Sequence, residues 1–216
     1  MEQQTDAFIP DGMNAFQRNV KRIGDCLIAF IALIIFSPLF LYCYIAVKRE
    51  DGGPAIFKQE RIGRFGKPFN IYKFRSMRLD AEKFGPALYK GGEDPRLTKI
   101  GKFLREHHLD ELPQLFNVFK GDMSLVGPRP ERDVIMQEYE QEIPEFHYRL
   151  KVKAGLTGYA QVYGKYNTTP YDKLKLDLFY IENYSLWLDL KLMLLTLKIL
   201  IKPESTEGVD SNQTTA

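Results

Sequence analysis

A chain of 216 residues and 25.1 kDa suffices for one domain with its own core but not for two large ones. Its 44% hydrophobic and 27% charged residues exclude a disordered chain and a polytopic membrane bundle alike. The 30 Lys and Arg nearly cancel the 28 Asp and Glu, leaving +2, so the basic excess of a dedicated nucleic-acid binder is missing. Cys26 and Cys43 share one apolar run and supply neither a disulfide framework nor a zinc-ligand cluster.

That run is the first predicted element. Residues 26–47 carry no charge and are long enough for a membrane helix, which takes about 20 apolar residues. A cleavable signal peptide matches poorly, because Glu2, Asp6, Asp11 and Asp25 precede the run and no small-residue cleavage site follows it. Arg18, Lys21 and Arg22 lie before it and Lys48 and Arg49 after it; basic flanks at both ends are best satisfied when both stay cytoplasmic. Near the middle stand Ser37 and Pro38. Proline removes a backbone donor and clashes with the preceding turn, while serine can bond a freed carbonyl, so a sharp bend is expected. The expectation is a re-entrant helix–break–helix hinged at Ser37 and Pro38, with a kinked spanning helix as the alternative.

The turn cluster Glu50-Asp51-Gly52-Gly53-Pro54 marks a boundary. Residues 48–105 then hold 15 Lys and Arg against 7 Asp and Glu, an excess of +8, whereas in residues 131–149 six acids face two bases. The basic stretch suits anionic lipid, a phosphorylated ligand or a merely solvated face. Residues 55–62 and 69–74 read as short strands joined by a turn-rich link. Thr98 caps a helix carrying Ile100, Phe103 and Leu104, and a second helix sets Leu112, Leu115, Phe116 and Phe119 at helical spacing before Gly121. Further helices are expected over 133–142 and 171–184. The apolar segment 186–201 contains Asp189, Lys191 and Lys198, which suits an interfacial helix with Tyr184 and Trp187 at headgroup depth; an ordinary core helix competes. Residues 204–216 are predicted to be a disordered tail.

Asp110 and Glu111 are the candidate catalytic pair. Pro113 is tolerated in the first turn of a helix, so both carboxylates are expected at or just before a helix start. Free N–H groups and the dipole there also suit phosphate, although an acid at that place can simply be a cap. Nearby cations are Arg105, Arg129 of Gly127-Pro128-Arg129-Pro130, and Lys73 and Arg75 of a strand-like run. A carboxylate among fixed cations is what phosphoryl chemistry needs, and an Asp can attack phosphorus to give an acyl phosphate. Glu111, a hard oxygen donor, suits Mg²⁺. Walker-type and Gly-x-Gly-x-x-Gly loops are both absent, which removes the main support for kinase, P-loop and Rossmann readings. His107 and His108 point about 100° apart on a helix, and with His147 remote in sequence no zinc site is expected.

With these residues in view, the chain resembles the bacterial sugar transferases that are monotopic polyprenyl-phosphate phosphoglycosyl transferases. The matching runs begin with Lys21-Arg22-Ile23-Gly24-Asp25, the Ser37-Pro38 break and Gly53-Pro54-Ala55-Ile56-Phe57-Lys58-Gln59-Glu60-Arg61-Ile62-Gly63. Tyr72-Lys73-Phe74-Arg75-Ser76-Met77, Asp94-Pro95-Arg96-Leu97-Thr98 and Leu104-Arg105 follow. Most specific are Leu109-Asp110-Glu111-Leu112-Pro113-Gln114-Leu115 and Gly121-Asp122-Met123-Ser124-Leu125-Val126-Gly127-Pro128-Arg129-Pro130. Lys153-Ala154-Gly155-Leu156-Thr157-Gly158 and Ala160-Gln161-Val162 complete a series running in family order over roughly residues 20–202.

The resemblance implies transfer of a sugar-1-phosphate from a UDP-sugar to a polyprenyl phosphate, undecaprenyl phosphate above all, with release of UMP. It implies that Asp110 is the nucleophile of a covalent phosphosugar intermediate and that Glu111, with Asp110, holds Mg²⁺. It further implies that Lys73, Arg105 and Arg129 contact phosphates or the nucleotide, and that Lys165 stands where the family has an arginine. Lysine keeps the charge there but loses the planar fork. His108 replaces the usual Ser or Thr before Leu-Asp-Glu. The expected fold is α+β and mostly helical: a re-entrant anchor within residues 1–50, a catalytic domain over 51–203 with a C-terminal interfacial helix, and the tail. The expected setting is the cytoplasmic face of the bacterial inner membrane, with downstream glycosyltransferases as partners and no nucleic acid. Some relatives carry an extra N-terminal membrane domain, and the expectation for this chain is a minimal catalytic form. Two other classes compete: a non-catalytic membrane-surface module binding anionic lipid or nucleic acid through its basic segment, and a phosphohydrolase using the same carboxylates.

Overall fold

The computed structural model describes residues 12–81, 94–164 and 168–201. Helix α1 (Ala15–Ile35) starts well ahead of the uncharged run because Asn14 and Gln17 form a reciprocal cap. Phe36 alone separates it from α2 (Ser37–Asp51), and the two axes differ by 65°. Ser37 donates its hydroxyl to the Ile34 carbonyl at 2.8 Å, and Pro38 occupies the first turn of α2, where its missing N–H costs nothing. The expected helix–break–helix is therefore present. Gly52, at φ 72°, closes α2 behind Lys48 and Arg49.

Helix α1 is inverted relative to a soluble amphipathic helix: Lys21, Asp25 and Ala29 are buried, whereas Phe16, Ile23, Leu27, Phe30 and Ile34 are exposed. Among the described residues no single helix is long and apolar enough to cross a membrane; only the bent pair α1 and α2 meets that criterion jointly.

The hairpin of β1 (Ile56–Ile62) and β2 (Pro68–Phe74) pairs Ile56 with Phe74 through Ile62 with Pro68. Helix α3 (Lys99–Glu106) is capped by Thr98, which accepts from the Gly101 N–H at 2.9 Å. A 3-10 turn, Leu109–Glu111, leads into α4 (Gln114–Lys120), closed by Gly121 at φ 101°. Strand β3 (Ser124–Val126), α5 (Asp133–Glu142) and a 3-10 segment, Pro144–Lys151, follow. Strand β4 (Gly155–Thr157) pairs parallel with β3, before α6 (Tyr159–Tyr163), α7 (Pro170–Glu182) and α8 (Leu186–Ile201). The architecture is α+β and mostly helical, as expected.

One core joins Ala29 of α1 to Ile71, Leu115, Val118, Tyr180 and Leu192. A second packs Cys43 and Val47 of α2 against Ala55, Phe74 and Leu104. Tyr184 departs from the headgroup position expected of it. It is buried, with its ring 5.4 Å from that of Tyr180 and 5.6 Å from the Lys21 ammonium. Helix α8 divides between the two accounts: Asp189 and Leu192 are buried, while Trp187, Leu190, Leu194, Leu197 and Leu200 line an exposed face.

The inward charges of α1 are matched by polar partners. Lys21 lies 2.5 Å from Asp189 and 3.7 Å from Asp25. Asp25 accepts from the Ser124 hydroxyl at 2.7 Å and the Leu125 N–H at 3.4 Å. The Tyr180 hydroxyl is 2.6 Å from Asp189 and 3.1 Å from the Val126 carbonyl. This network fixes α1, β3, α7 and α8 to one another, each buried polar group having a partner.

Candidate active site

After α3 the chain reverses at His108, whose left-handed φ of 54° is one that histidine adopts more readily than branched residues do. Leu109 and Leu112 then pack against the cluster of Val47, Phe74 and Leu104. Between these two apolar anchors Asp110 and Glu111 sit in one tight turn, closed by the Leu112 N–H on the Leu109 carbonyl at 3.2 Å. Neither acid caps α4, whose N-terminal flank makes no side-chain hydrogen bond. The simple capping account of these carboxylates therefore fails.

Glu111 is gripped by two cations from distant parts of the chain. Lys73 Nζ lies 2.7 Å from Oε1, and the Arg129 guanidinium straddles the carboxylate at 2.5 Å to Oε1 and 3.3 Å to Oε2. Burial opposes ionisation, yet Arg129 and Lys73 outweigh it and hold the Glu111 carboxyl far below its ordinary range. Asp110 is the contrary case. It is buried to 7% exposure, and among the described residues its carboxylate has no hydrogen-bond or ion-pair partner. Burial first, and the Glu111 charge second, push its pKa up against the pull of Lys73, Arg105 and Arg129. The turn thus presents one neutralised carboxylate beside one that is spare and poorly solvated, a better nucleophile than a hydrated acid.

Arg129 is held by a framework that the sequence reading missed. The backbone through Gly127 runs so close to β4 that a Cβ on Gly127 would stand 2.2 Å from the Lys153 carbonyl. Arg149 donates to the Arg129 carbonyl at 2.9 Å and to Asp177 at 2.7 Å, and Arg61 donates to the Pro130 carbonyl at 3.1 Å. Glu131 accepts from Lys173 and Arg149. The charge reversal over 131–149 contains Glu131 and Arg149, but their further partners Lys173 and Asp177 lie on α7.

The remaining expected residues separate. Arg105 donates to the Ser76 hydroxyl at 2.9 Å, within electrostatic reach of Asp110. Arg75 pairs instead with Asp51 at the end of α2, which places it at the junction with the anchor and not beside Glu111. Lys165 and residues 204–216 lie outside the described residues. Ser37 and Pro38 form the hinge. Among the described residues no group of three or more acidic, His or Cys side chains is gathered. Asp110, without a partner among the described residues, and Glu111, whose Oε2 has only the longer contact to Arg129 among them, still make a hard-oxygen pair of the kind Mg²⁺ takes alongside phosphate oxygens. A cavity of about 710 Å³ is apolar and involves Phe40, Tyr44, Tyr72 and Phe116. Strand alternation puts Tyr72 and Lys73 on opposite faces of the hairpin, so this groove does not share a face with Lys73.

A family model described as Bacterial sugar transferase matches residues 16–203, which takes in the turn, both of its cations and the hinge. The chain belongs to the bacterial sugar transferase family. It is 42% identical over 203 residues to the UDP-N-acetylgalactosamine-undecaprenyl-phosphate N-acetylgalactosaminephosphotransferase of Aeromonas hydrophila, covering 93% of this chain and 47% of that protein. Against the undecaprenyl-phosphate galactose phosphotransferase of Salmonella typhimurium the identity is 42% over 200 residues, 86% of this chain and 41% of the relative. The UDP-glucose:undecaprenyl-phosphate glucose-1-phosphate transferase of Caulobacter vibrioides is 40% identical over 190 residues, 86% of this chain and 71% of its own length. The chain thus spans less than half the length of the first two of these relatives.

Proposed function

We propose that this bacterial sugar transferase moves a sugar-1-phosphate from a UDP-sugar onto a membrane polyprenyl phosphate, releasing UMP and starting assembly of a glycan. The observation that carries the reading is the spare, buried Asp110 carboxylate beside the neutralised Glu111–Lys73–Arg129 cluster. The names of its relatives, which specify undecaprenyl phosphate and nucleotide sugars or sugar phosphates, support the same substrate classes.

In this reading an Asp110 oxygen attacks the phosphorus that bears the sugar. The bond to the UMP oxygen breaks, and a sugar-phosphoryl aspartate remains. A phosphate oxygen of the polyprenyl acceptor then attacks the same phosphorus, the bond to Asp110 breaks, and the free carboxylate returns. Arg129 and Lys73 lie where they would meet the charge of the diphosphate, with Arg105 on the Asp110 side. Asp110 and Glu111 would hold Mg²⁺, which when bound supplies neutralising charge to the phosphate oxygens. Proximity does the rest: a nucleophile already desolvated and fixed between Leu109 and Leu112 loses little freedom on the way to reaction.

The membrane setting rests on the exposed apolar faces of α1 and α8 and on the bend at Ser37 and Pro38. Contiguous apolar surface of that kind needs a lipid or protein cover, and the basic residues at both ends of the bent pair favour a re-entrant anchor on the cytoplasmic face of the inner membrane. The deciding experiment supplies purified protein with Mg²⁺, polyprenyl phosphate and a panel of UDP-sugars, and quantifies UMP and UDP separately. Release of UMP beyond one equivalent per enzyme that needs lipid phosphate is the expected result. Release of UDP would mean that the sugar moves without its phosphate, and UMP formed over many turnovers without any lipid acceptor would make the chain a hydrolase.

A further inference from the structure

Away from the carboxylates, a cavity of about 60 Å³ opens at the base of α1, lined by Arg18, Lys21, Arg22, Arg64 and Lys153, with Asp25 as its acid. Of these cations, Arg22, Arg64 and Lys153 have no carboxylate ion pair among the described residues. Arg75, Arg96, Arg129 and Arg149 each pair with a carboxylate. In the cavity, Arg22 donates to the carbonyls of Val118 and Phe119, both at 2.7 Å, and Arg64 to the Lys151 carbonyl at 3.1 Å.

A neutral carbonyl orients a guanidinium without cancelling its charge. Lys21 is compensated by Asp189, and Asp25 is engaged by Lys21, Ser124 and the Leu125 N–H. Lys153 has neither hydrogen bond nor ion pair among the described residues. Burial and the nearby Arg22 charge push its pKa down, with Asp25 pulling the other way. Packing like charges this closely is costly unless an anion joins them.

We propose that this cavity is a site for a single phosphate group, the headgroup phosphate of an anionic phospholipid. Its lining of five cations, with its single acid already engaged, suits a phosphate group. The lipid source follows from its surroundings. The turns of α1 that aim Arg18, Lys21 and Arg22 inward turn Phe16, Val20 and Ile23 outward. Beside the cavity Phe65 is 62% exposed at φ 57°, with the Arg64 guanidinium 4.5 Å from its ring centre. Cations with an apolar rim are the pattern of headgroup depth. The lipid assignment rests on the membrane setting proposed above, whereas the phosphate site itself does not.

The test is thermal unfolding of the detergent-purified chain titrated with short-chain phosphatidylglycerol, short-chain phosphatidylcholine or inorganic phosphate. Phosphatidylglycerol is expected to raise the midpoint by roughly 5 to 10 °C when ligand is in about hundredfold excess over Kd, and phosphatidylcholine to leave it unmoved. Lys153→Gln and Arg64→Gln should each lose most of that rise, and Lys153→Arg should keep it. An equal rise with inorganic phosphate would overturn the lipid source. The absence of any anion effect, or an effect that survives Lys153→Gln combined with Arg64→Gln, would overturn the site. Fractionation of the same variants with membranes reads the setting separately: loss of membrane association by the parent chain would refute the anchor, not the pocket.

Discussion

Two clusters of carboxylates, cations and hydroxyls are built into this molecule, and they differ in how completely their members satisfy one another. At the junction of α1 with α8, Lys21, Asp25, Ser124, Tyr180 and Asp189 close a buried network in which each group has a partner. At the turn before α4, Glu111 takes two cations, while Asp110 next to it has no partner among the described residues. The same side-chain chemistry is structural where it is saturated and, in the proposed mechanism, reactive where one member is left over. A saturated network gains rigidity from its low-dielectric surroundings, whereas a lone carboxylate in such surroundings is raised in energy and can gain from forming a bond.

The sharpest test of this contrast is Asp110→Asn, which should cut turnover by about 10⁴-fold or more, as removal of a nucleophile does elsewhere. Its unfolding midpoint should equal or exceed the parent's, because no hydrogen bond or ion pair among the described residues is lost and a poorly solvated charge is removed. A variant that unfolded early would show that Asp110 belongs to the structural class. Asp189→Ala is expected to behave in the opposite manner, leaving Lys21 buried without its nearest partner at a cost of about 3 kcal/mol in denaturant unfolding. The double change Lys21→Met with Asp189→Leu should recover most of that loss, since an apolar pair of similar volume leaves no buried charge unpaired. Tyr180→Phe removes one hydroxyl from the same network and should destabilise by about 1 to 2 kcal/mol. Turnover per folded molecule should be unchanged in it, and a selective loss of activity would mean that the two clusters communicate.

Local chemistry made much of the fold legible. Alternation and a turn-rich link marked the hairpin, Thr98 marked α3, and the limits of α5 and α8 follow from acidic and apolar composition alone. Ser37 and Pro38 marked the bend, and Pro113 placed the carboxylates just ahead of α4. Local chemistry was silent where partners are remote. Arg75 looked like a companion of Lys73, but Asp51 captures it. Tyr184 looked like an interfacial anchor, but Tyr180 and Lys21 enclose it. Strands β3 and β4, three residues each, show no alternation long enough to read, and pair only because the chain returns in parallel.

The sequence by itself therefore determined which residues could perform phosphoryl chemistry, where the chain bends, and to which family its ordered motifs point, because those properties rest on short-range spacing. Tertiary structure alone decided which carboxylate is neutralised and which is spare. Lys73 and Arg129 approach Glu111 from 38 and 18 residues away, and Lys21 meets Asp189 across 168. Whether a buried charge is paired depends on what packing brings within a few ångströms of it, and local spacing carries no record of that distance.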